Sequence, residues 1–448
     1  MSRLRRILAV WAAKATGFAC RITGKQGVTL AGQIALKIDP DILKELSSQV
    51  KEKIFVTCGT NGKTTTNNLL CSAIEAEGKK VVCNHTGSNM LNGVAAAFAQ
   101  SASLSGKLKA DYACIEVDEA STVRIFPHFK PDYMVLTNLF RDQLDRYGEI
   151  DITMNLLKKA MQMAPEMEVV VNGDDSLSTY LAMESGNPYV TFGIGEQYFK
   201  DQKDSGEIRE GTFCKKCGSK MEYHFYHYSQ LGDYYCPDCG FKRPELTYNA
   251  LHVHAGENLS FEVNGTAIEA NYRGFYNIYN ILAAYAAGKE AGLKLTAYNR
   301  VLRKYSPENG RNEAFHINGT DIILNLAKNP AGFNQNISAV MEDTKEKDLI
   351  ILINDNSQDG IDVSWLWDVD FDRFQDAGIH SITVSGIRCR DMQLRLKYVD
   401  IPSILEPDIE KAIQDRIKDG VKNLYVLVNY TGLYKTHNIL KKLEGEQK

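Results

Sequence analysis

Apolar residues fall into two kinds of run along this chain. From residue 53 to about 193, short unalternated apolar runs at 54–57, 80–83, 112–117, 134–139, 168–171 and 189–192 predict strands. Stretches of helical composition lie between them, such as 67–77, which ends at Gly78. Strands that are apolar on both faces predict a parallel sheet covered by helices, with ligands at the carboxyl ends of the strands. The rhythm returns with strands predicted at 320–326, 349–353, 381–384 and 424–428, a second α/β domain. Between the two, 195–244 breaks the pattern and 246–272 is strand-rich. Near the N-terminus, Leu4, Ile7, Leu8, Trp11, Ala15, Phe18 and Ile22 share one helical face. The predicted organisation is a basic amphipathic segment at 1–38, a central domain at 39–306 with an insertion near 205–244, and a C-terminal α/β domain at 307–448.

Polar residues cluster after the predicted strands. The first strand runs into Thr57-Cys58-Gly59-Thr60-Asn61-Gly62-Lys63-Thr64-Thr65 and then a helix, the order that makes a phosphate cradle for ATP. Lys63 would reach the β/γ-phosphates and Thr64 would hold Mg²⁺, although Thr57 stands where the G-x-x-x-x-G-K-[ST] pattern has its first glycine. Other clusters follow later strands: Asn84 to Gly87, Glu116 with Asp118 and Glu119, Thr137-Asn138 with Arg141-Asp142, and Asn172 to Asp175. A magnesium ion near the γ-phosphate needs oxygen ligands from such places, and Glu116 is the first choice. For Asp118 and Asp174 a solvated loop charge is an equal alternative. Asn277 and Asn280, three apart on a helix, can read an adenine edge. In the last domain the loops at 354–360, 385–391 and 429–431 all follow strands, which predicts one shared site there.

Cys214, Cys217, Cys236 and Cys239 form C-x₂-C-x₁₈-C-x₂-C, with Gly218 and Gly240 after the pairs. Two tight turns each aiming two thiolates at one point predict a structural Zn²⁺ site, closed by four sulfurs and without need of His224 or His227. The remaining six cysteines lie singly in apolar contexts and read as reduced, buried thiols of a cytoplasmic protein.

A net charge of −4 excludes a nucleic-acid binder held by bulk charge. The charge is uneven, however: residues 1–38 carry seven Lys/Arg and no Asp or Glu. Lys14 interrupts the apolar run that would otherwise resemble a secretory signal, and no run is long enough to cross a bilayer. Two readings of residues 1–24 stay open, a helix on an anionic membrane surface at the inner face and a helix packed on the next domain.

Taken in order, these motifs resemble the Mur ligase family, which includes folylpolyglutamate synthase. Gly59 to Thr65 resembles its ATP loop, Glu116 its magnesium glutamate, Thr137-Asn138 with 142–148 its next motif, and Asn277-x-x-Asn280 its adenine-side pair. Gly310-Arg311-Asn312-Glu313 resembles the arginine motif at the domain junction, which assigns Arg311 to ATP, and 325–330 the motif opening the last domain. Gln143, Asn325 and Lys328 depart from the His, Asp and His usual at those places, and Lys159 is the candidate for the family's carbamoylated lysine. Only about 50 residues precede the loop, too few for the UDP-binding domain of ligases acting on soluble precursors. With the four-cysteine insertion and the Ser385 to Met392 segment, the chain is most similar to ligase subunits of lipid II isoglutaminyl synthase. The resemblance implies ATP-dependent amidation of the D-glutamate α-carboxylate of lipid II through an acyl phosphate. Lys63, Thr64 with Mg²⁺, Glu116 and Arg311 would neutralise charge. Ammonia would come from a GatD-like glutaminase partner, since no G-x-C-x-G nucleophile turn occurs in this chain. Asp355 would hold the ammonia or orient a histidine of that partner. A folylpolyglutamate-synthase-like ligase and a nucleotide-gated binding protein are the alternatives.

Overall fold

The structure, a computed structural model, describes residues 2–22, 27–85, 88–142, 149–199, 210–271, 273–305, 312–376 and 378–445. Residues 143–148, Gly310 and Arg311 lie outside the described residues, as do Thr86 and Gly87.

The apolar runs form one nine-stranded sheet. Its strands are β1 (Lys53–Cys58), β2 (Val81–Cys83), β3 (Tyr112–Glu116), β4 (Tyr133–Leu136), β5 (Glu168–Asn172), β6 (Tyr189–Ile194), β9 (Tyr248–Ala255), β10 (Leu259–Val263) and β11 (Thr266–Ala270). They are ordered β11-β10-β9-β6-β5-β4-β1-β3-β2. β1 pairs in parallel with β3 on one side and β4 on the other, so the order in which successive strands join the sheet switches sides at β1. That switch opens a crevice at the carboxyl ends of β1 and β4. β4 stops at Leu136, short of the predicted 139, because Thr137 and Asn138 turn away to bond the loop that follows β1.

The insertion joins β6 to β9, neighbours in the sheet, so it leaves the sheet continuous. Its hairpin, β7 (Glu222–Tyr228) and β8 (Leu231–Tyr235), carries one cysteine pair before it and one after it. A second sheet, β12 (Glu313–Ile317), β13 (Thr320–Leu326), β14 (Lys347–Leu352), β15 (Ile379–Ser385), β16 (Ile404–Leu405) and β17 (Asn423–Val428), is ordered β12-β13-β17-β14-β15-β16. β12 is antiparallel to β13 and the other pairs are parallel.

Three helices precede β1: α1 (Ser2–Ile22), α2 (Val28–Ile38) and α3 (Ile42–Ser47). α4 (Lys63–Ala76) follows the loop, beginning at once after Gly62 rather than at 67, and α5 (Leu91–Ser101) follows β2. α1 does pack on the next domain, but through Ala9, Val10 and Ala13, which are fully buried. Leu4, Leu8, Trp11, Phe18 and Ile22, the face expected to make that contact, are exposed. Small residues allow α1 to sit close to its neighbours, and the bulky stripe is left outside.

Candidate active site

The loop after β1 crosses the crevice between β1 and β4. Gly59 at φ 119° and Gly62 at φ 83° lie in the region where a side chain is strained. Each also has a neighbour in the space a Cβ would fill: Thr137 Oγ1 at 2.3 Å for Gly59 and Asn280 Oδ1 at 2.0 Å for Gly62. Thr57 lies within β1, in register with Glu116, where a side chain is no obstacle. The loop therefore needs its glycines at 59 and 62 and not at 57.

The loop backbone is held from the β4 side. Thr60 N–H donates to Asn138 O at 2.9 Å and Asn61 N–H to Asn138 Oδ1 at 2.9 Å. Thr137 Oγ1 and Asn138 Nδ2 both donate to Asn61 O. Thr60 Oγ1 donates to Phe140 O at 3.0 Å. The helix Tyr276–Glu290 closes the opposite side, with Asn280 Nδ2 donating to Asn277 Oδ1 and Asn277 Nδ2 to Arg273 O. Thr65, in the first turn of α4, is buried, and its neighbour Thr66 donates to the Asn280 carbonyl.

Lys63 is buried, and its ammonium donates to the carbonyls of Gly59 and Thr60 and to Glu119 Oε1 at 2.8 Å. Burial pulls its pKa down, but the carboxylates of Glu119, Glu116 and Asp118 outweigh that and raise it, so Lys63 is charged. Burial pushes the Glu119 carboxyl above its usual range against the pull of Lys63. Thr64 Oγ1 donates to Glu116 Oε2 at 2.6 Å, and Asn89 Nδ2 donates to Oε1 of the same carboxylate at 3.0 Å. Asn84 clamps the Glu116 backbone through both its N–H and its carbonyl. Thr64 and Glu116 thus present two oxygens side by side at a strand end, the arrangement a hard cation takes.

Glu119 was one of several acidic residues in a strand-end cluster, and nothing in its spacing set it apart. Its place against Lys63 is a tertiary fact. It lines a small cavity with Thr60, Phe140, Arg141, Asp142, Ile150 and Thr153. Lys159 is not brought there: it is exposed on the helix Ile150–Met163, away from the face of Ile150 and Thr153.

The C-terminal sheet meets the same loop. Asn329 caps the helix Pro330–Glu342 through Gly332 N–H and exchanges amide hydrogen bonds with Asn61 at 3.2 and 3.4 Å. Lys328 pairs with Asp142, and Arg141 with Asp368. Asn325 turns instead to Asn312. The three polar loops of this domain do converge: Asn354 with Asn429 and Thr431, and Asp355 with Arg388 at 2.7 Å. Asp355 belongs to that cluster, its carboxylate engaged by a guanidinium rather than by the ATP-loop residues.

The four insertion cysteines gather with all sulfurs within 4.8 Å of one another. Cys214 to Cys239 is 3.6 Å and Cys217 to Cys236 is 3.5 Å. A disulfide needs about 2.0 Å. Tetrahedral Zn–S bonds of about 2.3 Å place sulfurs about 3.8 Å apart. The two turns repeat each other: Cys214 N–H bonds Ser219 O and Cys236 N–H bonds Phe241 O, with Gly218 and Gly240 at positive φ. The donor set fits Zn²⁺. At the far end of the hairpin, Gln230 Nε2 donates to Leu139 O at 2.5 Å and to Asp175. His227 is buried against Tyr279 at 2.6 Å, and Tyr279 OH donates to Asp174 at 2.7 Å. The insertion is thereby keyed between β4, β5 and the helix that carries Asn280.

Two family models match the chain: the Mur ligase middle domain over residues 56–237 and the MurT ligase C-terminal domain over 326–433. The chain is 36% identical over 432 residues, 96% of each chain, to the lipid II isoglutaminyl synthase (glutamine-hydrolysing) subunit MurT of Staphylococcus aureus (strain COL). It is 34% identical over 446 residues, 98% of this chain and 97% of the other, to the MurT subunit of Streptococcus pneumoniae (strain R6). Among solved structures, a pseudomurein peptide ligase type C from Methanothermus fervidus aligns with a TM-score of 0.69 at 21% identity, covering 89% of this chain and 80% of that one. The MurF ligase of Thermotoga maritima in complex with ADP aligns with a TM-score of 0.63 at 13% identity, covering 93% and 85%. With this fold, this loop and 34–36% identity to those subunits over nearly the whole chain, the chain belongs to the MurT family of Mur ligases.

Proposed function

We propose that this chain is the ATP-dependent ligase subunit that amidates the D-glutamate α-carboxylate of the lipid II stem peptide. The observation that carries the reading is the Lys63, Thr64 and Glu116 constellation beneath the glycine loop that opens α4. ATP is a substrate, its phosphates to be held by Gly59 to Thr65 with Asn280 beside them, and Arg311 is assigned to ATP by the family motif alone. Thr64 and Glu116 would hold Mg²⁺, which would neutralise phosphate charge. Lys63 exchanges Glu119 for phosphate oxygens as ATP enters. A carboxylate oxygen of the substrate attacks the γ-phosphorus and ADP leaves. Ammonia then attacks the acyl carbon, phosphate leaves, and a proton is lost to give the amide. Zn²⁺ on Cys214, Cys217, Cys236 and Cys239 is structural.

Ammonia is supplied by a GatD-like glutaminase subunit, and Asp355, set by Arg388, faces that partner or its ammonia. The MurT-type C-terminal match favours this reading over a folylpolyglutamate-synthase-like one. The test is lipid II with ATP and an ammonium salt, read by the small mass decrease from acid to amide. Release of phosphate without amide, or amidation without ATP, would sink the proposal. Asp355→Asn separates the partner role: glutamine-dependent amidation falls while ammonium-dependent amidation is kept.

A further inference from the structure

α1 presents a stripe that its own packing does not explain. At 100° per residue, Leu4, Leu8, Trp11, Ala15, Phe18 and Ile22 fall within an arc of about 80°. The buried residues Ala9, Val10, Ala13 and Gly17 occupy the opposite side of the helix. Leu4 is 66% exposed, Trp11 54%, Phe18 66% and Ile22 71%. Leu104, 63% exposed, adjoins Trp11, whose indole N–H donates to the Leu104 carbonyl at 2.7 Å. The polar atom of that ring is thus satisfied inside the protein, and its apolar face is turned out.

Charge marks what covers this face. Arg3 and Lys14 lie along one edge of the stripe and Arg5 along the other, and residues 2–22 contain no Asp or Glu. The nearby acid, Glu45, is engaged by Arg6 on the packed side at 3.0 Å. No helix among the described residues is long and apolar enough to cross a membrane. Apolar stripe, basic edges and absence of acid together complement an anionic bilayer surface.

We propose that α1 lies flat on an anionic lipid bilayer, with Leu4, Leu8, Trp11, Phe18 and Ile22 at the acyl boundary and the basic residues among the headgroups. α5 relates this face to the catalytic loop. Asn89, just before α5, bonds Glu116, and Gln100, near its other end, accepts from Lys14. The eleven residues of α5 span about 16 Å. Docking would hold the Glu116 end near the membrane, where a lipid-linked substrate resides; this last point rests on the function proposed above, whereas the docking itself does not.

The test is flotation of the full chain with phosphatidylcholine vesicles, with and without phosphatidylglycerol. Binding is expected with the anionic vesicles and should weaken in high salt. Trp11→Ser with Phe18→Ser should weaken it by more than about tenfold. Arg3→Gln and Arg5→Gln should each cost about fivefold. The arginine variants should leave the unfolding midpoint unchanged, because these side chains are exposed, and the Trp11/Phe18 variant should stay folded with a midpoint lowered only by the lost Trp11–Leu104 hydrogen bond. No flotation, or equal flotation of wild type and the Trp11/Phe18 variant, overturns the proposal. So does a dimer, or a complex with the glutaminase subunit, that this variant abolishes while vesicles bind neither form. A chain that floats but does not amidate lipid II refutes the ligase reading alone; one that amidates detergent-solubilised lipid II but does not float refutes the docking alone.

Discussion

Gly62→Ala probes the point where three elements meet at the loop. At φ 83°, alanine costs about 1–2 kcal/mol of backbone strain. Its Cβ would stand 2.0 Å from Asn280 Oδ1, so Asn280 must move. That movement breaks its bond to Asn277, a further cost of about 1 kcal/mol. The substitution should therefore destabilise by about 2–3 kcal/mol in the native background, and by only about 1–2 kcal/mol where Asn280→Ala has already cleared the space. Urea unfolding of the four members of this cycle measures the difference, about 1 kcal/mol of coupling. Nucleotide affinity, followed by calorimetry, should fall about tenfold or more in both alanine-62 proteins, because the loop N–H groups are re-aimed. Equal destabilisation in the two backgrounds would refute the reasoning, since Asn280 would then not press on Gly62.

Other predictions concern the surrounding supports. Chelation of zinc, or Cys214→Ser, should release the hairpin, lower the thermal midpoint and reduce ATP turnover together, because Gln230 holds Leu139 next to the loop; elemental analysis and a thermal scan check this. Glu116→Gln should abolish magnesium-dependent turnover while the protein stays folded, since Gln can still accept from Thr64; circular dichroism beside a phosphate-release assay separates the two. Asn329→Ala should cost about 1 kcal/mol through the lost helix cap and also loosen the contact with Asn61, visible as faster proteolysis at the domain junction. Burial opposes ionisation of Asp343, but the Lys345 N–H and Tyr425 hydroxyl outweigh it and hold the carboxyl below its usual range. A depressed carboxyl stabilises the fold above the usual carboxylate pKa, and this is lost as pH falls through the lower folded value. Urea unfolding from neutral to acid pH should accordingly show a shallower acid decline in Asp343→Asn.

Legibility followed the range of the interactions. The sheet strands were readable because a strand buried on both faces cannot hide its apolar run, and the cysteine turns because their geometry is local. The length of β4 was not readable: residues 134–139 are apolar enough for a longer strand, but Asn138 is drawn to Asn61 by bonds from distant chain. α1 shows a different limit. Its periodicity was readable but not which face packs, since a helix can pack through alanines and leave its bulky stripe to another surface. Glu119 and Gln230 had no signal of their own, because their importance lies in which atoms they meet after folding.

The loop after β1, the proposed phosphate cradle, is also where several parts of the protein meet. Asn61 is bonded to Asn329 of the C-terminal sheet, Gly62 rests on Asn280 of the helix Tyr276–Glu290, and Thr60 is tied to Phe140, one residue from the carbonyl that Gln230 of the cysteine hairpin holds. Lys63 is held meanwhile by Glu119 and by two carbonyls of its own loop. In the proposed reaction phosphate would displace Glu119 to reach that ammonium, and Glu119 already lines the cavity it shares with Arg141 and Asp142. These two residues make ionic contacts to the C-terminal domain. Occupancy of the phosphate site and docking of that domain thus act on adjacent residues. Glu119→Gln isolates the link: it should free Lys63 for phosphate and raise nucleotide affinity, while removing the charge through which phosphate entry reaches Arg141. Protease protection of the domain junction should then respond less to added nucleotide than in the native protein. An unchanged response would separate the two events.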